Sequence, residues 1–366
     1  MPERTEVHDA GPVGSRDSEG QLSRFCRAGR LAGTRANIEA AAFLKEALES
    51  EGYDAHILVD RSFARVPAAW GLGFLAFTIA SRLLTGQHSP LIAGALLLGP
   101  LLKAAMSIHQ GTPLAVFGVR RAKAAEGETP SPAVILGAHF DTVSLPFQGS
   151  FLAASLVAVI LMAGVLAVAE LISPWLAMVI AGAAGFFLYG NASPGGDDNA
   201  SGVFAVLECA KRLRSAENVN VVPVFFNFEE MGLFGSLAFT RRFLGKLGSG
   251  IPGTNLDPGR AFMVNFDCVG RGKRIYISGD KGLCEMILNT SAAKALGVSK
   301  TWSYPSDHLM FRRPWKAVSF ARADRYWMLD LSWIHSAADV PEKVNLDYVR
   351  EVADIALELV GSITKM

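Results

Sequence analysis

The sequence predicts a mixed α/β domain, with a mostly parallel sheet flanked by helices, into which about four membrane-spanning helices are inserted as two hairpins. Three observations point there. Strand-like apolar runs alternate with amphipathic helix-like runs through most of the chain. Two pairs of long, nearly uncharged segments interrupt that alternation. Half of the 366 residues are hydrophobic and only 19% are charged, which is more apolar than an average α/β domain. The expected segmentation is a mobile tail over 1–20, an interrupted domain made of 21–66, 107–146 and 192–366, and hairpins over 67–106 and 147–191.

Taken in order, the first twenty residues are rich in Gly, Ser and charge and predict a tail. From Gln21 to Glu51, Ala, Leu and Phe recur at helical spacing, with Gly52 as a stop. Asp54 to Val59 reads as a short strand. Pro113 to Arg120 and Ala133 to His139 read as strands, Asn199 to Leu213 as a helix, Val219 to Phe228 as a strand and Gly232 to Leu247 as a helix. Ala261 to Asp267 and Arg274 to Ser278 are again strand-like, and Leu346 to Ile363 is a closing amphipathic helix.

The first apolar pair is Pro67 to Leu84 and Pro90 to Met106, joined by Thr85-Gly86-Gln87-His88. Arg82 and Lys103 lie near its ends, where long cationic side chains can reach the interface, and Pro100 weakens the second segment. The second pair is Phe147 to Ala169 and Leu171 to Asn191, joined around Glu170 and Ser173-Pro174. About 28 residues from Thr142 to Ala169 carry no charge, more than the ~20 needed to cross a hydrocarbon core. Core helices of a large domain rarely run so long without a polar face. Hairpins return to the side they leave, so the domain lies on one face. Arg61, Arg65, Lys103, Arg120, Arg121 and Lys123 gather there, against Arg82 alone on the far side, which predicts a multi-pass protein with its domain on the cytoplasmic face.

A net charge of +1 offers no basic field for nucleic acid, so no nucleic-acid partner is expected. Cys26, Cys209, Cys268 and Cys284 lack CxxC spacing and predict free thiols rather than disulfides or a structural zinc knot. The polar first 65 or so residues lack the apolar core of a cleaved signal peptide.

Carboxylate or imidazole groups close or follow the strand-like runs at His139 with Asp141, at Asp197-Asp198, at Glu229-Glu230, at Asp267 and at His335. Ligands of open α/β sheets bind at the carboxyl ends of strands, so these groups can converge. Neutral imidazole and carboxylate suit zinc, and a shared carboxylate can hold two metals. Paired acids in one cleft otherwise raise each other's pKa and neutralise. Each element alone is weak: an Asp-Asp before a helix is often a cap, and a Glu-Glu after a strand is often a solvated helix start. Their joint order is the informative signal.

That order, in Gly137-Ala138-His139-Phe140-Asp141, Gly196-Asp197-Asp198-Asn199-Ala200-Ser201-Gly202, Asn227-Phe228-Glu229-Glu230-Met231-Gly232, Asn265-Phe266-Asp267-Cys268-Val269-Gly270, Ser306-Asp307-His308 and His335-Ser336-Ala337-Ala338-Asp339, resembles the co-catalytic dizinc aminopeptidases. That family includes bacterial leucine aminopeptidases, glutamate carboxypeptidase and the single-zinc glutaminyl cyclases. The resemblance spans about Gln21 to Lys365 once the hairpins are removed. It implies two Zn2+ ions, one held by His139, Asp198 and Asp267 and the other by Asp198, Glu230 and His335, with Asp198 bridging. Asp141 then orients His139 through the other ring nitrogen, Glu229 is the general base toward a metal-bridging water, and Asp197 is a cap or outer group. Where some relatives place a Tyr before the last His, this chain has Ile334. His308 is the expected substitute donor to the oxyanion, with Tyr326 behind it.

The expected function is a membrane-bound zinc aminopeptidase acting on a peptide or lipid-linked amide at the bilayer surface. Alternatives are an amidase of lipid-linked or N-acyl amino acids on the same site, a glutaminyl cyclase-like acyltransferase, and an inactive receptor or scaffold. The last should have lost ligands, and none is missing. Nothing in the sequence specifies side-chain preference, the metal in the cell or the oligomeric state.

Overall fold

The structure is a computed structural model that describes residues 18–85, 89–123, 131–145, 189–245, 250–252, 254, 260–301, 304–311, 314–324 and 333–364, with isolated positions between 165 and 186. Residues 1–17 of the expected tail and most of the second hairpin lie outside these residues, as does Tyr326; the last three residues of that tail, from Ser18, instead begin the first helix.

The first expected helix is two. Helix α1 (Ser18–Phe25) ends before a turn containing Gly33 at φ 88°, and α2 (Arg35–Ser50) restarts with the Thr34 hydroxyl accepting from the Asn37 amide. A left-handed residue followed by an N-cap ends one helix and begins another whatever the apolar spacing says. Strand β1 (Asp54–Leu58) follows, then the apolar helices α3 (Arg65–Thr85) and α4 (Ser89–His109). Helix α4 continues through Pro100. Beside it Gly99 is required for packing, because a Cβ there would stand 2.2 Å from the Phe186 backbone nitrogen.

The remaining elements are β2 (Ala115–Val119), β3 (Ala133–His139), α5 (Gly202–Leu213), β4 (Asn220–Phe226), α6 (Phe234–Phe239), β5 (Ala261–Phe266), β6 (Arg274–Gly279), α7 (Lys281–Leu288), α8 (Ser291–Leu296), β7 (Ser299–Lys300), β8 (Lys316–Ala323) and α9 (Leu346–Ile363). Among the described residues these strands form one sheet in the order β1-β2-β4-β3-β5-β8-β6-β7. The central four, β4-β3-β5-β8, are parallel, while β1–β2, β2–β4 and β6–β8 are antiparallel. The mixed α/β architecture is therefore observed.

Side chains alternate across the sheet as a period of two requires. Val134, Leu136 and Ala138 of β3 enter a large core with α2, α5 and α9, whereas Ile135 enters a second core with Phe226, Phe239 and Met263. A third cluster joins Leu101, Ala104 and Ile108 of α4 to Phe228, Met231 and Phe234, so the first hairpin is packed onto the loop after β4.

Among the described residues one helix, Arg61–Ser81, is long and apolar enough to cross a membrane, and only 28% of its apolar window is buried. Of the four expected spans, one is thus an observed candidate, while most of the second hairpin lies outside the described residues. Leu72, Phe77, Leu83 and Leu84 of α3 are exposed.

Arg30, 1% exposed, fastens the chain on both sides of the second insertion. Its Nε donates to the Phe140 carbonyl at 2.8 Å, Nη1 to Pro194 at 2.6 Å and Phe25 at 3.2 Å, and Nη2 to Gly195 at 3.0 Å. Its backbone N–H donates to Thr142 Oγ1 at 2.7 Å. Two residues on, Ser144 and Gly190 exchange backbone hydrogen bonds at 3.0 and 2.9 Å. Replacing Arg30 with Met leaves buried carbonyls unpaired, at a cost of about 1–3 kcal/mol for each group left unsatisfied. Arg30→Met should therefore lower the stability of the protein by about 3 kcal/mol or more, read from its denaturant midpoint. Arg30→Lys should recover little of this, since an ammonium cannot reproduce the planar fork.

Candidate metal centre

The chemistry-bearing residues gather at the carboxyl ends of the four central parallel strands. His139 is the last residue of β3, Glu229 and Glu230 follow β4, Asp267 follows β5 and His335 lies beyond β8. Asp198 sits in the wide turn Gly196–Ser201 that leads into α5.

Two three-residue sets share Asp198. His139 Nε2 lies 3.2 Å from Asp198 Oδ1 and 3.6 Å from Asp267 Oδ1. His335 Nε2 lies 3.1 Å from Asp198 Oδ2 and 2.9 Å from Glu230 Oε2. The two oxygens of one carboxylate thus face different imidazoles. Ligand atoms of His139, Glu229 and Asp267 also lie within 4.8 Å of one another, which puts Glu229 beside the first set.

Each acid pair is held by a further carboxylate. Asp141 Oδ1 accepts the Glu229 amide at 3.1 Å and Oδ2 the Glu230 amide at 3.3 Å. Asp339 Oδ1 accepts the Asp197 amide at 2.8 Å and Oδ2 the Asp198 amide at 2.9 Å. Asn199 ties this second pair to β5, donating to the Phe266 carbonyl and accepting from the Cys268 amide. His139 Nδ1 lies 3.2 Å from the Asp141 carbonyl oxygen and 3.6 Å from its carboxylate. The main-chain carbonyl is therefore the nearer partner for that nitrogen, where the carboxylate was expected. Asp197 turns away from the sets, accepting from the Gly270 amide at 2.8 Å and the Trp333 indole at 3.3 Å, as an outer group should.

Phe228, Leu233, Cys268 and His335 adopt φ between 53° and 60°. Such conformations cost about 1–3 kcal/mol each and concentrate where function fixes the backbone. Here His335 is a member of the second set and Cys268 adjoins a member of the first, while Phe228 adjoins Glu229. The His335 carbonyl also accepts the Leu145 amide at 2.9 Å, at the start of the second insertion.

The electrostatics favour a cation. Burial works against charge on both histidines, yet neighbouring carboxylates win: His139 is raised well above its ordinary value, chiefly by Glu229, and His335 to about 12, chiefly by Glu230. Burial raises Glu229 well above the usual range and takes Glu230 to about 7. Glu230 Oε1 and His335 Nδ1 are buried without a hydrogen-bond partner. Crowded acids, two imidazoles and an orphaned carboxylate oxygen form an N/O donor set that fits zinc. Cys268 has its sulfur near Asp198 and Asp267, but burial and the surrounding acids raise its pKa well above normal. It stays a thiol and a poor ligand.

The sets open into a cavity of about 690 Å³ whose walls are mostly apolar, including Trp70 and Phe74 of α3, Pro100 and Leu101 of α4, and Tyr189. His308 is not among its lining residues. It is buried, with Nε2 3.5 Å from Ser278 Oγ, and burial lowers its pKa to about 4. The expected donor to the oxyanion therefore sits behind the cavity wall. Sequence reasoning missed Arg30, Asp339, Tyr189, Trp70 and Phe74. Asp339 stood inside a recognised motif, but the others carried no local signal.

The model of peptidase family M28 matches residues 122–360. No curated protein sequence matches the chain. Solved structures share its fold: an aminopeptidase from Aneurinibacillus sp. strain AM-1 (16% identity, TM-score 0.58, covering 93% of this chain and 92% of that one), a zinc aminopeptidase from Bacillus subtilis (15%, 0.55, 94% and 93%), and a glutaminyl cyclase from Porphyromonas gingivalis (15%, 0.58, 96% and 99%).

The raised pKa values of His139, His335 and Glu230 mean that these ligands give up protons when zinc binds. Zinc binding should therefore release protons and tighten as pH rises. Titration calorimetry in buffers of different ionisation enthalpy checks this, and proton uptake would contradict the ligand sets.

Proposed function

The chain belongs to peptidase family M28 and is a zinc-dependent metallo-exopeptidase; on that premise we propose that it is a membrane-bound aminopeptidase that removes N-terminal residues from apolar peptides. The observation that carries the catalytic part is Asp198, whose two oxygens face two imidazoles, each with a second carboxylate in reach. His139, Asp198 and Asp267 would hold one zinc, and Asp198, Glu230 and His335 the other. When bound, zinc polarises the scissile carbonyl and makes a nearby water more acidic.

The protein's own groups supply the rest. Glu229 takes a proton from the attacking water as its oxygen bonds to the carbonyl carbon, and returns it to the nitrogen as the C–N bond breaks. Burial and the neighbouring acids raise the pKa of Glu229 well above the usual range, which suits the return step; the positive charge of bound zinc would favour the carboxylate that the first step needs. Asp141 fixes the backbone of Glu229 and Glu230 together, so base and ligand keep one geometry. The apolar walls exclude water from the reacting bond.

Membrane attachment is supported by the apolar, largely exposed α3, and a cytoplasmic domain by the basic residues at the hairpin ends. Trp70 and Phe74 belong to that same helix and line the cavity, which favours substrates with apolar side chains. The fold alone does not separate this reading from a glutaminyl cyclase-like transferase. The presence of both His139 and Asp267, which complete a second metal set, favours the hydrolase.

The test is metal analysis with a fluorogenic panel of aminoacyl, acyl-amino-acid and lipidated peptide substrates. About two zinc ions per chain are expected, where about one would favour the transferase. Glu229→Gln should lower kcat by about 10²–10⁴-fold with zinc content unchanged, and undiminished turnover would overturn the assigned base. Trp70→Ala with Phe74→Ala should raise KM for substrates with large apolar side chains by about tenfold or more and leave alanyl substrates nearly unaffected.

A further inference from the structure

Attack on an amide carbonyl places negative charge on its oxygen, and donors already aimed at that position in a water-poor site stabilise it strongly. Several polar residues line the catalytic cavity, but most are engaged elsewhere. The Tyr304 hydroxyl donates to Ser319 Oγ at 2.8 Å. The Arg322 guanidinium donates to the Gly272 carbonyl and the Glu351 carboxylate. Ile334, beside His335, offers only an alkyl group, and His308 lies behind the wall.

Tyr189 differs. It lines the cavity with His335, Glu229 and Glu230, and among the described residues its hydroxyl makes no hydrogen bond. Its backbone is nevertheless fixed. The carbonyl accepts from Lys103 Nζ at 2.8 Å, and the next residue, Gly190, exchanges both backbone hydrogen bonds with Ser144. A phenol is a donor at neutral pH, and a tethered backbone holds this one in the cavity wall with its hydroxyl unengaged among the described residues.

We propose that Tyr189 donates a hydrogen bond to the carbonyl oxygen of the scissile amide as negative charge develops there, so that the second apolar insertion contributes a catalytic residue to the centre it interrupts. This rests on the peptidase reading above. Tyr189 keeps its proton throughout, and only the hydrogen bond strengthens in the transition state. Lys103, on the first insertion, is a positioning residue for it.

The test compares zinc-loaded, full-length wild type with Tyr189→Phe in detergent. For an aminoacyl coumarin amide, kcat should fall by about 10²-fold while KM changes by less than about threefold. Leucine phosphonic acid, whose tetrahedral anion imitates the charged oxygen, should bind at least about tenfold more weakly by calorimetry. Zinc content and thermal midpoint should not change. Unchanged kcat with unchanged phosphonate affinity overturns the proposal, and so does a loss of activity accompanied by loss of zinc, which would mark a structural role. If the wild type cleaves no amide in the panel, the peptidase assignment fails on that result. The phosphonate arm then decides Tyr189 separately.

Discussion

The buried guanidinium of Arg30 holds together two stretches of chain that the sequence sets far apart. Phe140 lies between His139 and Asp141, and Pro194 and Gly195 lead into Asp197 and Asp198. Backbone carbonyls on both sides converge on one planar cation. Such a fork satisfies several acceptors at fixed angles, which neither a water nor a lysine could do in the same place. Everything specific about the centre presupposes this join, because the imidazole of one segment and the bridging carboxylate of the other must meet across it.

Above the join, the centre is organised by pairs. Glu229 and Glu230 hang from Asp141, and Asp197 and Asp198 hang from Asp339. In each case both oxygens of a carboxylate accept consecutive amides. Successive residues then leave the chain in different directions. In the first pair Glu229 lies beside the first set and Glu230 belongs to the second. In the second, Asp198 faces both imidazoles and Asp197 is turned toward Gly270 and Trp333. Charge-assisted hydrogen bonds are stronger than neutral ones; those to Asp339, at 2.8 and 2.9 Å, are the shorter, and those to Asp141 are 3.1 and 3.3 Å. Gathering so many acids into a buried cleft is unfavourable by itself. The arrangement makes sense only around a cation.

Much of this was legible in the sequence. The regular α/β stretches were, because buried parallel strands are continuous apolar runs such as Ala133–His139 and Ala261–Phe266, each ending in a polar residue with chemistry to do. Strand β8 was not recognised: Lys316 at one end, Arg322 near the other and Ser319 in the middle break its apolar signal. The break between α1 and α2 was hidden for the opposite reason, since helical spacing of apolar residues carries across a turn set by Gly33 and Thr34. The two ligand sets were readable because His139, Glu230 and Asp267 close or follow strands and Asp198 opens a helix. What escaped depends on tertiary placement. Nothing local in Arg30 says that four carbonyls await it. Likewise nothing local in Tyr189 says that the end of an apolar segment turns back into a cavity. His308 shows the reverse error, a histidine with the right neighbours in sequence and the wrong side of a wall in space.

The paired backbone hydrogen bonds between Ser144 and Gly190 have a consequence for descent as well as for structure. They bring the two ends of the second insertion side by side, so at this point the chain leaves and re-enters the catalytic framework through a narrow neck. The entropy of closing such a neck grows slowly, by about 0.6 kcal/mol for each doubling of the enclosed length. Inserts of quite different size could therefore be exchanged at this point with little penalty to the framework. The neck acts as a socket: the two ligand sets stay with the sheet and its loops, whatever length of chain is plugged in between them.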